Sequence, residues 1–278
     1  MAPLLLRFER RHIMAKEIRN VPVNGVDFYC EIRGSGPPLV LIPDGVNDCE
    51  HYSTTGDMLA DEFTVLTFDM RGGTRSMPTE HMPVTPKIIA EDVAGIIKAL
   101  DMAPASIYGC SSGGQAVLSI GKYFPEVAKN LITHEAALMN DTPIPKTGFD
   151  FFDALYGTFG PMCKGFSPRD VSFICNWEGW KAFGDDFLQR VETNTEYWAK
   201  YYLGNVDMDS YTKEELEKMP NLEMSIGAWT PYWMAYANIS TAERGGIPWT
   251  LLPCGHYPQA VCLEEFVRFI RETCRKYL

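Results

Sequence analysis

The chain holds eight cysteines, yet no Cys-x-x-Cys pair occurs among Cys30, Cys49, Cys110, Cys163, Cys175, Cys254, Cys262 and Cys274. Zinc ribbons and thioredoxin-type redox motifs need closely paired thiols, so both are excluded. Thiols this dispersed read as small buried hydrophobes in a reducing compartment. Long apolar runs are missing as well. No stretch approaches the roughly 20 apolar residues of a membrane helix. The opening "MAPLLLRFERRHIM" has three consecutive leucines, where a secretory signal needs about 7–15 apolar residues and a small-residue cleavage site. Positive charge is also short. With 25 Lys and Arg against 36 Asp and Glu, the net charge is −11, which argues against nucleic acid or an anionic membrane as partner. Repeats and low-complexity tracts do not occur. The expectation is a soluble, cytoplasmic protein whose residues 1–15 form an N-terminal extension.

What is present is a chain of 278 residues with 46% hydrophobic content, enough for one large core and a smaller subdomain. In "KEIRNVPVNGVDFYCEIRG" the Asn24-Gly25 pair separates two alternating runs, a hairpin signal. The short apolar run Leu39 to Ile42 and the stretch "FTVLTFDM" suit strands buried on both faces. Ile88, Ile89, Val93, Ile96, Ile97 and Leu100 follow a helical period. Strand "ASIYG", a glycine-rich turn, a helix from Ser112 to Tyr123 and strand "NLITHEA" come next. Alternating strands and helices predict a mostly parallel α/β sheet with right-handed crossovers.

The alternation stops after about Leu138. Between Phe149 and Tyr202 lie fifteen of the chain's 34 aromatic residues, and the segment reads as helices, "DDFLQRVETNTEYWAKYYL" most clearly. A helical hairpin packed on the sheet would account for it. A cap over an apolar pocket accounts for it better, because an insertion after a mid-sheet strand sits above the strands' carboxyl ends, where such sheets bind ligands. Strands and helices resume near Asn221 and run to a last helix, "LEEFVRFIRETCRKYL". The expected division is a core of 16–140 and 221–278 with a helical cap of 141–220.

The turn inside "IYGCSSGGQA" carries the chemistry. It is not a P-loop, because no lysine follows until Lys122, and it is not a dinucleotide fingerprint, because the second glycine is absent. Gly109-Cys110-Ser111-Ser112-Gly113 matches G-x-S-x-G between a buried strand and a helix, the setting of a nucleophile elbow. Ser111 is the candidate nucleophile, Cys110 points into the core, and Ser112 opens the helix. A serine hydroxyl needs an adjacent base. Of the five histidines, His256 follows the last strand in "LLPCGHYP" and completes the order Ser…acid…His.

The acid is less direct. After the strand "EMSIGA" an Asp is expected, but Thr230 and Pro231 stand there. Glu135, at the tip of the strand beside the nucleophile strand, is the first candidate, with Glu243 and Asp141 as alternatives. Oxyanion donors are expected from the backbone N–H groups of Ser112 and Gly45, since Pro43 has none. Asp44 would shape that turn or meet a substrate hydroxyl. No metal cluster or nucleotide motif stands out, so no cofactor is expected.

These residues together resemble the α/β-hydrolase superfamily over nearly the whole chain from Lys16. More narrowly the chain resembles the fungal zearalenone lactonases. Pro43-Asp44-Gly45, "FDMRGGTRS", the elbow Gly-Cys-Ser-Ser-Gly, His134-Glu135, and the stretches "GWKAFGDD" and "YWAKYY" carry the likeness. The resemblance implies a Ser111-His256-Glu135 triad opening the ester of a macrocyclic resorcylate lactone. It further implies that Trp198 contacts a substrate phenol. Asp44, Tyr202 and Leu203 are further candidate substrate contacts, Leu203 without a clear counterpart in that family. The expected partner is a small aromatic lactone. The composition does not reveal whether copies of the chain associate. Competing readings are a general carboxylesterase, a carbon–carbon bond hydrolase, or a ligand-binding receptor on the same scaffold.

Overall fold

A computed structural model describes residues 15–138, 181–206, 209–230 and 232–278. The sequence-derived expectations for residues 1–14, for Asp141, and for the aromatic run between 149 and 180 lie outside them.

Lys16–Val23 (β1) and Val26–Arg33 (β2) pair antiparallel. Their turn is formed by Asn24 and Gly25, both at positive φ (47° and 76°), which is the twist a two-residue hairpin requires. Pro38–Ile42 (β3), Thr64–Phe68 (β4), Ala105–Cys110 (β5), Ala128–His134 (β6), Leu222–Gly227 (β7) and Trp249–Leu252 (β8) complete one eight-stranded sheet. Its order is β1-β2-β4-β3-β5-β6-β7-β8, with every pair from β4 to β8 parallel. The hairpin adds the antiparallel end, through the pairing of β2 with β4. The expected α/β-hydrolase architecture is therefore present.

The continuous apolar strands have two buried faces because helices cover both. Val40 and Ile42 of β3 pack on one side with Pro86–Ala99 (α2, Ser53–Leu59 being α1) and Ser112–Tyr123 (α3). Leu39 and Leu41 face the other way, toward Tyr52, Leu59 and the last helix. Thr85 caps α2 by accepting the Ile88 N–H, and Pro86 occupies the first turn, where a missing N–H costs nothing. The middle helices are Asp185–Tyr201 (α4), Lys213–Leu216 (α5) and Tyr232–Gly245 (α6), and Pro258–Val261 (α7) and Leu263–Arg275 (α8) end the chain. On α8, Phe266, Val267, Ile270 and Cys274 form the buried stripe that closes the second core. All six described cysteines are buried and unbridged, in line with their reading as small hydrophobes. Among the described residues no helix is long and apolar enough to cross a membrane.

Candidate active site

β5 is flanked by β3 and β6, so the loops after these three strands meet at the carboxyl edge of the sheet. The turn after β5 is the elbow. Ser111 has φ 56° and ψ −119°, a conformation that costs on the order of 1–3 kcal/mol for a non-glycine residue. It persists because neighbouring chain segments hold it. Ser111 N–H donates to the His134 carbonyl at 3.1 Å, and the Ser111 carbonyl accepts from Ala137 N–H at 3.1 Å. The flanking glycines are demanded by closeness. A Cβ on Gly109 would lie 2.2 Å from the Gly113 carbonyl oxygen, and one on Gly113 would lie 2.3 Å from that of Pro43. Cys110 is fully buried in the second core and its thiol donates to the His256 carbonyl at 3.4 Å, so it points inward as expected.

Glu135 is the residue directly after β6, and it too has positive φ (45°). That turn sends its carboxylate back under the loop that follows β8. Its Oε2 lies 2.7 Å from Nδ1 of His256. Its Oε1 accepts from the Gly227 backbone N–H at 2.6 Å and from the Thr230 hydroxyl. Burial alone would raise this carboxyl. The adjacent His134 and His256, with the hydrogen bonds from His256 and Thr230, outweigh burial and hold it at about 2. Glu135 is thus an anion at neutral pH, aimed at one ring nitrogen of His256. Thr230, standing where an aspartate was expected, donates its hydroxyl to Glu135 at the neighbouring strand's tip.

The alternative acid Glu243 is exposed near the end of α6, where its carboxylate accepts from the Trp249 indole at 2.9 Å. That places it on the far side of the fold from this cluster, as a surface contact of β8. His134 is fully buried between Ser225, whose hydroxyl is 3.0 Å from Nδ1, and the Gly255 carbonyl, 3.4 Å from Nε2. Burial pushes it down to about 4, against the pull of Glu135. It is a neutral brace beside the acid.

The loop after β3 supplies Asp44 and Gly45. Asp44 Oδ1 accepts from the Val46 N–H at 3.0 Å, a side-chain turn of the kind aspartate favours. Its Oδ2 is buried with no hydrogen-bond partner among the described residues and lies 3.6 Å from Nε2 of His51. The Val46 N–H is taken by Asp44, whereas the backbone N–H groups of Gly45, in the same loop, and of Ser112, directly after Ser111, have no partner among the described residues. Over Gly45 sits Trp198 of α4. A Cβ on Gly45 would come within 3.0 Å of the indole Nε1 and 3.2 Å of Cε2. That Nε1 is buried and has no hydrogen-bond partner among the described residues. Tyr202, by contrast, is fully buried with its hydroxyl donated to the Arg71 carbonyl at 2.7 Å. It belongs to the seam between α4 and the core. Leu203 follows it, half-buried.

No family model matches the chain. A zearalenone hydrolase of Cladophialophora bantiana is 33% identical over 260 residues, covering 92% of this chain and 95% of that protein. The chain belongs to the zearalenone hydrolase family. A second zearalenone hydrolase, from Bionectria ochroleuca, is 31% identical over 272 residues, covering 92% of this chain and 96% of its own. Among solved structures, the enol-lactonase of Burkholderia xenovorans superposes with a TM-score of 0.68 at 16% identity, over 91% of this chain and 98% of its own. A carboxylesterase of Bacillus subtilis superposes with a TM-score of 0.71 at 16% identity, over 94% and 92%. At such identities the superpositions establish the α/β-hydrolase fold. With its family and fold together, the chain is an ester hydrolase.

Two residues important to this geometry escaped the sequence reading. Gly227 donates to Glu135 through its backbone, which no side-chain pattern announces. His51, buried beside Asp44, lies in the one-turn 3-10 helix Cys49–Tyr52 with no motif around it.

Proposed function

We propose that the protein opens the ester ring of a macrocyclic resorcylate lactone of the zearalenone type through an acyl-enzyme. The observation carrying this reading is the buried Trp198 indole N–H seated on Gly45, which has no hydrogen-bond partner among the described residues. A buried donor left unpaired costs about 1–3 kcal/mol, so its place suits a ligand with an acceptor oxygen on an aromatic ring. The names of the two similar fungal hydrolases point to the same substrate class.

Ser111 Oγ attacks the lactone carbonyl carbon while His256 takes the hydroxyl proton at Nε2. Glu135 holds Nδ1–H and balances the imidazolium charge; it is already ionised, so no proton need pass to it. Gly45 and Ser112 N–H groups receive the carbonyl oxygen as it becomes an oxyanion. The ring C–O bond then breaks and His256 returns its proton to the departing alkoxide. Because the ester is cyclic, that alcohol stays tethered to the acyl group. A water, deprotonated by His256, attacks the acyl carbon, the bond to Ser111 Oγ breaks, and His256 returns that proton to Ser111 Oγ, giving a hydroxy acid and the free serine. In this reading residues 141–220, including α4, are the cap that roofs the acyl pocket, and Asp44 and Leu203 border the ligand. Tyr202 is left out, its hydroxyl being taken.

The test is chromatography of zearalenone incubated with wild type and with Ser111→Ala. Loss of the intact lactone with wild type only supports the proposal. Intact lactone in both, with simple aryl esters still cleaved by wild type, leaves an esterase and removes the lactonase reading.

A further inference from the structure

Arg190, Asn194 and Trp198 follow each other at four-residue spacing and form one stripe along α4. The stripe meets the loop after β3 in reverse order. Arg190 Nε donates to Asp48 Oδ2 at 2.5 Å, Asn194 Nδ2 donates to the Val46 carbonyl at 2.8 Å, and Trp198 covers Gly45. Asn194 also reaches a second loop. Its Oδ1 accepts from the Thr74 backbone N–H at 2.8 Å and from the Thr74 hydroxyl at 2.6 Å. With 1% exposure, it is a buried amide making three hydrogen bonds to two core loops.

The two polar contacts are not equivalent. Asp48 is also bound by Arg75, at 3.1 Å, so it keeps a cationic partner without Arg190. The Val46 carbonyl and the Thr74 groups receive their α4 contact from Asn194 alone among the described residues. Asn194 is one helical turn from Trp198, and Val46 is the residue after Gly45. A shift of that turn displaces the indole and the oxyanion loop relative to each other.

We propose that Asn194 is a positioning residue that sets Trp198 on Gly45 and so governs selection of aromatic lactones. The ligand named here rests on the proposed function; the positioning of Trp198 does not.

The experiment is a double-mutant cycle of Asn194→Ala and Trp198→Ala. The quantity read is the ratio of kcat/KM for zearalenone to that for p-nitrophenyl acetate. Asn194→Ala is expected to lower the ratio about tenfold, mostly through KM for zearalenone, and to change it less than twofold when Trp198 is already alanine. An unchanged ratio, or the same tenfold fall in both backgrounds, overturns the proposal. Thr74→Val, which removes one of the three bonds, is expected to move the ratio the same way by less and serves if Asn194→Ala does not fold. A ligand-free readout separates the two readings. Asn194→Ala should shift the tryptophan emission of wild type but not that of Trp198→Phe. With that shift and no consumption of zearalenone by wild type, the substrate assignment falls and the positioning role stands. No shift, or an equal shift in Trp198→Phe, overturns the positioning role.

Discussion

Glu135 and His256 are 121 residues apart in sequence, and their side chains meet at 2.7 Å. The carboxylate reaches the imidazole only because the turn at Glu135 has positive φ and the loop after β8 folds back across β7 and β6 toward β5. Three further donors and neighbours fix it there, namely Gly227, Thr230 and His134. This packing makes the acid assignment testable apart from the substrate.

Glu135→Gln is expected to lower kcat on any ester at least a hundredfold, because the amide cannot balance an imidazolium and leaves buried donors poorly matched. Glu243→Gln should stay within twofold, losing one exposed contact to Trp249. Steady-state kinetics of both variants on one aryl ester decide it. A severe loss in Glu243→Gln with Glu135→Gln intact reverses the assignment.

Ser111→Ala should reduce turnover by about four orders of magnitude or more while leaving the unfolding midpoint close to wild type. Ser111 is the strained tip of a turn whose backbone bonds to His134 and Ala137 need no side chain. Burst kinetics with a slow-deacylating ester, present in wild type and absent in the variant, report the missing acyl-enzyme.

Gly113→Ala is expected to destabilise the fold by roughly 2 kcal/mol or more, since its methyl would meet the backbone oxygens of Pro43 and Ile42 at 2.3 and 2.8 Å. Gly45→Ala should be milder in stability, because the obstacle is the Trp198 side chain, and should show its main cost in the kinetics. Urea unfolding compared with kcat separates the two. Equal stability losses contradict the geometry.

Acid lability should begin well above the carboxylate range. His134 is held neutral down to about 4, whereas an exposed histidine protonates near its ordinary value of 6.5. Between those values the unfolded chain binds a proton that the folded chain refuses, so stability falls as pH falls from 6.5 to 4, by on the order of 2–3 kcal/mol. Glu135 adds a second loss, from its ordinary 4.5 toward about 2. Urea midpoints at pH 7 and pH 5 should differ in wild type and differ by a smaller, non-zero amount in His134→Gln, because burial lowers His51 as well and raises Asp69 to about 6. A His134→Gln protein with the wild-type pH slope would remove His134 as the cause.

Several parts of this site are local and could be read from the chain alone. A buried strand, a G-x-S-x-G turn and a helix with its period are set by neighbours in sequence, so Ser111 and the helix from Ser112 to Tyr123 stood out without coordinates. His256 was legible for a related reason, lying directly after a strand whose carboxyl end had to share an edge with Ser111. The cluster around the acid was not legible to the same degree. Strand order β5-β6-β7-β8 is a property of the whole sheet, and it brings Glu135 to His256 and Thr230 while leaving Glu243 at the surface. Nor could the chain alone show that Asn194, an ordinary polar residue within a helix, spends its amide on two distant loops. Sequence period and turn chemistry act over a few residues. Which distant groups satisfy one another's hydrogen bonds depends on burial, and burial is decided only when the layers pack.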